Sequence, residues 1–160
     1  MKEIALTQGK VAIVDDADYE SLNQLKWYAQ KTCSGWYAAR RVGKEGDKIL
    51  ILMHREILKT PANKETDHID GNGLNNQRHN LRAATRAQNQ HNQRKQKGTS
   101  KFKGVSRRRD CDRWQVQIRV DKRDIRLGLF SSETEAAKAY DTAAQKYFGE
   151  FAHLNFKQAS

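Results

Sequence analysis

Disulfide frameworks, zinc sites and membrane spans are all set aside by what this chain lacks. Its 160 residues include two cysteines, Cys33 and Cys111, far apart in sequence. Neither has a partner cysteine at the short spacing a zinc site uses, and two distant thiols build no disulfide scaffold. No apolar run is long enough to cross a bilayer, and Met1-Lys2-Glu3-Ile4-Ala5-Leu6-Thr7-Gln8 lacks the apolar segment of a signal peptide. The expectation is a reducing, cytoplasmic setting and no secretion.

The last absence is acidic. Between Gly71 and Arg109 there is no Asp or Glu, although that stretch holds 11 Lys and Arg. Residues 1–70 carry 11 basic and 11 acidic side chains, and residues 110–160 carry 8 of each. The net charge of +11 therefore sits entirely in one central segment. Such a run suits a polyanion laid along it. It lacks the apolar face of an interfacial helix, so a membrane surface is a poor partner. A polyanion such as a nucleic acid is the partner expected, and no obligate protein partner is implied.

A spacing that carries chemistry overlaps the start of that segment. Asp67-His68 is followed by Asn80 and then Asn89. Cutting a phosphodiester needs a group that deprotonates water and a cation that holds the phosphate and the leaving oxygen. Asp67-His68-Ile69-Asp70-Gly71-Asn72-Gly73 reads as a strand end running into a Gly/Asn turn. After Asn80-Leu81-Arg82 the pattern turns helical through Gln88, Asn89 and Asn92. His91 follows Asn89 by two residues, roughly 200° around a helix, so the two cannot face one ion. His54, His79 and His153 read as structural or exposed.

The run DHIDGNGLNNQRHNLRAATRAQNQHN resembles the ββα-metal motif of HNH nucleases, in the variant whose final ligand is Asn. The resemblance implies that His68 is the general base and Asp67 the neighbouring metal ligand. It places Asn80 as the catalytic asparagine that braces the loop and orients the base, and Asn89 as the helix-borne second ligand. The implied ion is Mg2+, with Mn2+ as a substitute, because hard cations prefer oxygen ligands. Residues 1–60 read as a small α+β subregion that packs on this element, since it is too small to bury a large core alone. Its elements are a strand at Val11–Val14, a helix with Leu22 and Leu25, strands near Trp27 and Trp36, and Lys48–Leu52.

Residues 93–100 have the polar, basic composition of a linker. Beyond it, Trp114, Val116, Ile118 and Val120 alternate with Gln115, Gln117 and Arg119, the period of a half-buried strand. Ser132 with Glu135 reads as a capping box. The helix it opens carries Ala136, Ala137, Tyr140, Ala143, Ala144 and Tyr147 on one face, with Gly149 at its end. The opposite sheet face then holds Arg107 or Arg108, Gln115, Gln117, Arg119 and Arg126. Arg and Gln are side chains that read guanine and adenine edges.

This C-terminal run, from FKGVS through LGLF and EAAKAYD to LNF, resembles the plant ethylene-response-factor (APETALA-type) DNA-binding domain. That family lays a three-stranded antiparallel sheet in the major groove and backs it with a helix. The resemblance implies DNA contacts from Lys103, Ser106, Arg108, Gln117, Arg119 and Arg126. Ser106 and Arg126 stand where Arg and Trp are typical, and Asp124 replaces another Arg, which leaves the target sequence open.

The expected architecture is α+β. It comprises an HNH domain over 1–92, a basic linker over 93–100 and a sheet-on-helix DNA-binding domain over 101–156. The expected activity is a Mg2+-dependent endonuclease of homing type, from a bacteriophage or mobile element. Arg82, Arg86, Arg94, Lys95 and Lys97 would hold the flanking DNA backbone. The alternative is a sequence-specific DNA-binding regulator with an inactive nuclease remnant.

Overall fold

The computed structural model describes residues 1–44, 46–93 and 98–156. It divides into two compact units, Met1–Asn89 and Gln90–Ser160. Strand pairs within its small sheets are antiparallel, and the helices are not interleaved with a parallel sheet, so the class is α+β. Among the described residues no helix is long and apolar enough to cross a membrane.

The first unit opens with a hairpin of β1 (Lys2–Ala5) and β2 (Val11–Val14). Alternation turns Ala12 and Val14 inward, and both are fully buried. Helix α1 (Asp16–Asn23) follows, and its Leu22 carbonyl accepts the indole N–H of Trp27 at 2.8 Å. A three-stranded sheet comes next, built from β3 (Tyr28–Thr32), β4 (Gly35–Val42) and β5 (Ile49–Leu52) in that order. Helix α2 (Met53–Leu58) is tied to β4 by a two-pronged Arg40–Glu56 pair at 3.0 and 3.1 Å. Lys59, with φ at 49°, ends it two residues before Pro61. One core runs through Ile4, Val14, Leu22, Trp27, Ala38, Met53, Ile57 and Leu81.

Against this core stands a two-stranded hairpin of β6 (Glu65–His68) and β7 (Leu81–Ala84), followed by the short helix α3 (Arg86–His91). The long connection between β6 and β7 is not left loose. Ile13 of β2 donates to the Leu74 carbonyl at 2.8 Å, and Asn76 donates back to the Ile13 carbonyl at 2.7 Å. Those bonds make a parallel bridge between Ile13 and Asn75. Asp15 then accepts from the backbone N–H of Arg78 at 2.7 Å, and Asp18 takes the Arg78 guanidinium at 2.6 and 2.8 Å.

The second unit contains β8 (Val105–Arg107), β9 (Trp114–Val120) and β10 (Arg123–Phe130), with β9 in the middle. Asp121 and Lys122, both at positive φ, join β9 to β10 as a two-residue hairpin turn. Helix α4 (Glu133–Phe148) packs its Ala136, Ala137, Tyr140, Ala143 and Ala144 on Val105, Val116 and Ile118. Ser132 caps it by accepting the Glu135 N–H. Alanines bring the helix close to the sheet, and at Gly104 the Tyr140 ring takes the space that a Cβ would need. Tyr147, expected on the packed face, is 43% exposed, and Phe148 is buried in its place. The His91 ring stacks on Phe148 at 3.8 Å and supplies the cover. Of the expected linker, residues 94–97 lie outside the described residues.

Candidate active site and nucleic-acid interface

His68 is the last residue of β6, and its side chain is 5% exposed. Its Nε2 lies 3.4 Å from Asn76 Oδ1. Asn76 is wholly buried, and its amide nitrogen donates to the Leu74 carbonyl at 3.2 Å. That second bond fixes which way the amide points, so its oxygen faces the imidazole. An acceptor at Nε2 places the ring proton there and makes Nδ1 the nitrogen that can take another. Burial holds the His68 pKa below its ordinary value, against the opposing pull of Asn76, Asp70 and Asp67. The imidazole is thus neutral at pH 7.

Asn80 ties the turn that follows. Its Oδ1 accepts the Asp70 backbone N–H at 3.0 Å, and its Nδ2 donates to Asp70 Oδ1 at 3.0 Å and to the Asn75 carbonyl at 2.8 Å. Burial works to raise the Asp70 carboxyl, but donors from Asn72, Asn75 and Asn80 outweigh it and leave it below the usual range. Gly73 lets this turn press on β4: a Cβ there would stand 2.5 Å from the Trp36 carbonyl oxygen and 2.6 Å from the Tyr37 ring. The bracing is therefore complete from strand to strand.

Asp67, the neighbour of His68, lies one residue before β6 ends, where the chain runs into the Gly71–Gly73 turn, so strand alternation need not keep the two apart. It is 4% exposed, and Arg82 on β7 donates from Nε to Oδ2 at 2.8 Å. Two residues back on the same face, Glu65 accepts the side-chain N–H of Asn89 at 2.5 Å. With Nδ2 so committed, Asn89 presents Oδ1 as its remaining polar atom. The donors on this side are hard oxygens, the chemistry that suits Mg2+ or Mn2+ rather than zinc. Among the described residues no three His, Cys, Asp or Glu side chains cluster as a metal site, so an ion here would depend on the asparagine oxygen. Sequence reasoning missed Glu65, although its spacing of two from Asp67 in a strand was the available signal.

The residues expected to face DNA divide more unevenly. Arg82 is engaged with Asp67, whereas Arg86, the first residue of α3, is exposed. Arg94, Lys95 and Lys97 lie outside the described residues. Lys103 is turned inward: its ammonium donates to the carbonyls of His91 and Gln93 at 2.6 and 2.7 Å, and burial pushes its pKa down to about 8. On the open sheet face Ser106 stands opposite Gln115, and Arg126 opposite Gln117. Arg119 is held across the hairpin by Asp124 at 2.9 Å. Arg107 pairs with Asp112 and lies over Trp114, while Arg108 pairs with Asp110.

Comparison with known proteins bears on both units. A family model described as HNH endonuclease matches residues 59–91. An uncharacterized HNH endonuclease of Acanthamoeba polyphaga mimivirus is 31% identical over 154 residues, covering 92% of this chain and 76% of that protein. The chain belongs to the HNH endonuclease family. This HNH protein also carries an APETALA2-type DNA-binding domain in its C-terminal part. There it is 46% identical over 66 residues to APETALA2-like protein 2 of Oryza sativa subsp. indica, which amounts to 40% of this chain and 15% of that one. An AP2-like ethylene-responsive transcription factor of Arabidopsis thaliana is 48% identical over 63 residues, 38% of this chain and 11% of that one.

Proposed function

We propose that this HNH protein is a Mg2+-dependent endonuclease of homing type that hydrolyses double-stranded DNA, with site preference supplied largely by the C-terminal sheet. The observation that carries the reading is the buried His68–Asn76 contact at 3.4 Å, inside the segment that the family model matches. It commits Nε2 of a neutral imidazole to Asn76, and the proposed reading gives Nδ1 to the water. Asn80 keeps the loop that holds Asn76 in place.

In the proposed reaction His68 takes a proton from water at Nδ1 as the water oxygen bonds to phosphorus. Asn76 accepts from Nε2–H throughout and stabilises the imidazolium as it forms. The bond from phosphorus to the 3′ oxygen breaks, that oxygen takes a proton from solvent water, His68 later returns its own to solvent, and a 5′ phosphate and a 3′ hydroxyl remain. Asp67 and Asn89 would hold the ion, which supplies positive charge for the phosphate and the departing oxygen. Glu65 keeps the Asn89 amide turned the right way, and Arg86 lies exposed where a backbone phosphate would pass. Arg94, Lys95 and Lys97 would extend that basic track, and the setting would be the cytoplasm of the host.

On the sheet, Gln115, Gln117, Arg119 and Arg126 would reach base edges, with Ser106 beside them and the inward Lys103 supporting the fold. Incubation of the purified chain with supercoiled plasmid, with Mg2+ or with EDTA, tests the reading. Nicked or linear product is expected with the metal alone, and His68→Ala should abolish it with DNA affinity nearly intact. Tight binding without cutting by the wild-type chain would leave a DNA-binding regulator instead.

A further inference from the structure

A second histidine stands against the first. His54 lies in the opening turn of α2, is 5% exposed, and meets the His68 ring edge to face, with ring centres 4.9 Å apart and planes at 87°. Tyr37 closes the group, its ring 5.7 Å from His54 and 5.9 Å from His68. The His54 Nδ1 atom is buried without a hydrogen-bond partner.

That orphaned atom decides the state of the ring. A neutral imidazole carries one N–H and one bare acceptor. A buried acceptor without a partner is tolerated more readily than a buried N–H without one. The proton therefore belongs on Nε2. A cation is excluded by the surroundings: burial first, then His68 and Arg55, push the His54 pKa down to about 3. If the ring only filled space, a phenyl group would do so and leave no nitrogen unsatisfied.

We propose that His54 is a further catalytic residue, a neutral hydrogen-bond donor from Nε2 to a non-bridging oxygen of the scissile phosphodiester. The assignment rests on the nuclease reading and extends it. His68 serves the attacking water, and a ring 4.9 Å away is within the span of a single phosphate group. A preorganised donor at that place stabilises the charge that gathers on the phosphate oxygens as the water adds. Being neutral, it does so without competing for the proton that His68 takes.

Two measurements on the full-length chain test it. The first uses 15N-labelled histidine and long-range proton–nitrogen NMR, with His54→Phe identifying the signal. A neutral ring protonated on Nε2 at pH 7 is expected; an Nδ1–H tautomer or an imidazolium overturns the proposal. The second compares plasmid nicking in Mg2+ by wild type, His54→Phe and His54→Gln, with DNA affinity and melting temperature measured alongside. His54→Phe should lose about a hundredfold in rate at unchanged affinity and melting. His54→Gln restores a side-chain N–H and should recover much of that loss. A wild-type chain that cuts beside an equally fast His54→Phe sinks this role alone, as does a His54→Gln no better than His54→Phe. A wild-type chain that does not cut sinks the nuclease reading and this role with it.

Discussion

Arg82 and Asp67 face each other across the β6–β7 hairpin, and two guanidinium nitrogens converge on the single oxygen Oδ2 at 2.7 and 2.8 Å. Both side chains are largely buried, at 12% and 4% exposure. The pair neutralises a buried carboxylate that adjoins the proposed base in sequence.

Arg82→Ala should therefore cost about 3–5 kcal/mol of stability, because it strands a buried charge. Mg2+ should raise the melting temperature of that variant more than that of wild type, since a cation bound to the folded state substitutes for the lost guanidinium. Thermal unfolding with and without Mg2+ checks both statements. Equal shifts in the two proteins would place the ion away from Asp67.

Asp124→Ala acts on binding. The exposed Arg119–Asp124 pair is worth at most about 1 kcal/mol, so releasing Arg119 should tighten DNA binding by about fivefold and leave melting nearly unchanged. Titration with duplex DNA at several salt concentrations measures it. An unchanged affinity would mean that Arg119 does not reach the DNA.

Gly104→Ala tests the closeness of helix and sheet in the second unit. Gly104 has φ at 76°, and a Cβ there would collide with the edge of the Tyr140 ring. Positive φ and overpacking together should cost about 2–5 kcal/mol, read as a lower melting temperature. Near wild-type melting would show that Tyr140 can swing aside.

Asp15 supplies a pH dependence. The backbone N–H of Arg78 is the main cause that holds its carboxyl below 3.8 in the folded chain. Unfolding returns it to that value, so the folded form binds the proton less readily. The stabilisation is complete above pH 3.8 and disappears as the pH falls through the depressed native value. Asp15→Asn should melt lower than wild type at pH 7, and the two should converge in acid. A constant difference across that range would show that the carboxylate charge is not what counts.

Local pattern made much of this legible. The alternation from Trp114 to Val120 fixed β9 and its buried face, and the alanine stripe after Ser132 fixed α4. Asp67-His68 followed by Gly71 and Gly73 announced a strand end and a turn. What stayed hidden depends on partners distant in sequence. Nothing near Asn76 says that Ile13 will bond to it, and nothing near His54 says that its ring will meet His68. The pairing of Arg119 with Asp124 needs the register of a hairpin whose turn, Asp121-Lys122, lacks the usual glycine. Lys103 reads as a surface cation until the carbonyls of His91 and Gln93 are seen around it.

The bridge from Ile13 to Leu74 and Asn76 bears on how portable the cutting centre is. A fragment starting at residue 59 would retain the motif with Asp67, His68, Asn80 and Asn89. It would lose β2, Asp15 and Asp18, the backbone and carboxylates that pin residues 74–78. The amide that orients the imidazole would then hang on an untethered loop. Anyone transplanting this nuclease into a chimera must carry the first eighteen residues along, because the recognisable signature and the part that makes it rigid are encoded at opposite ends of the unit.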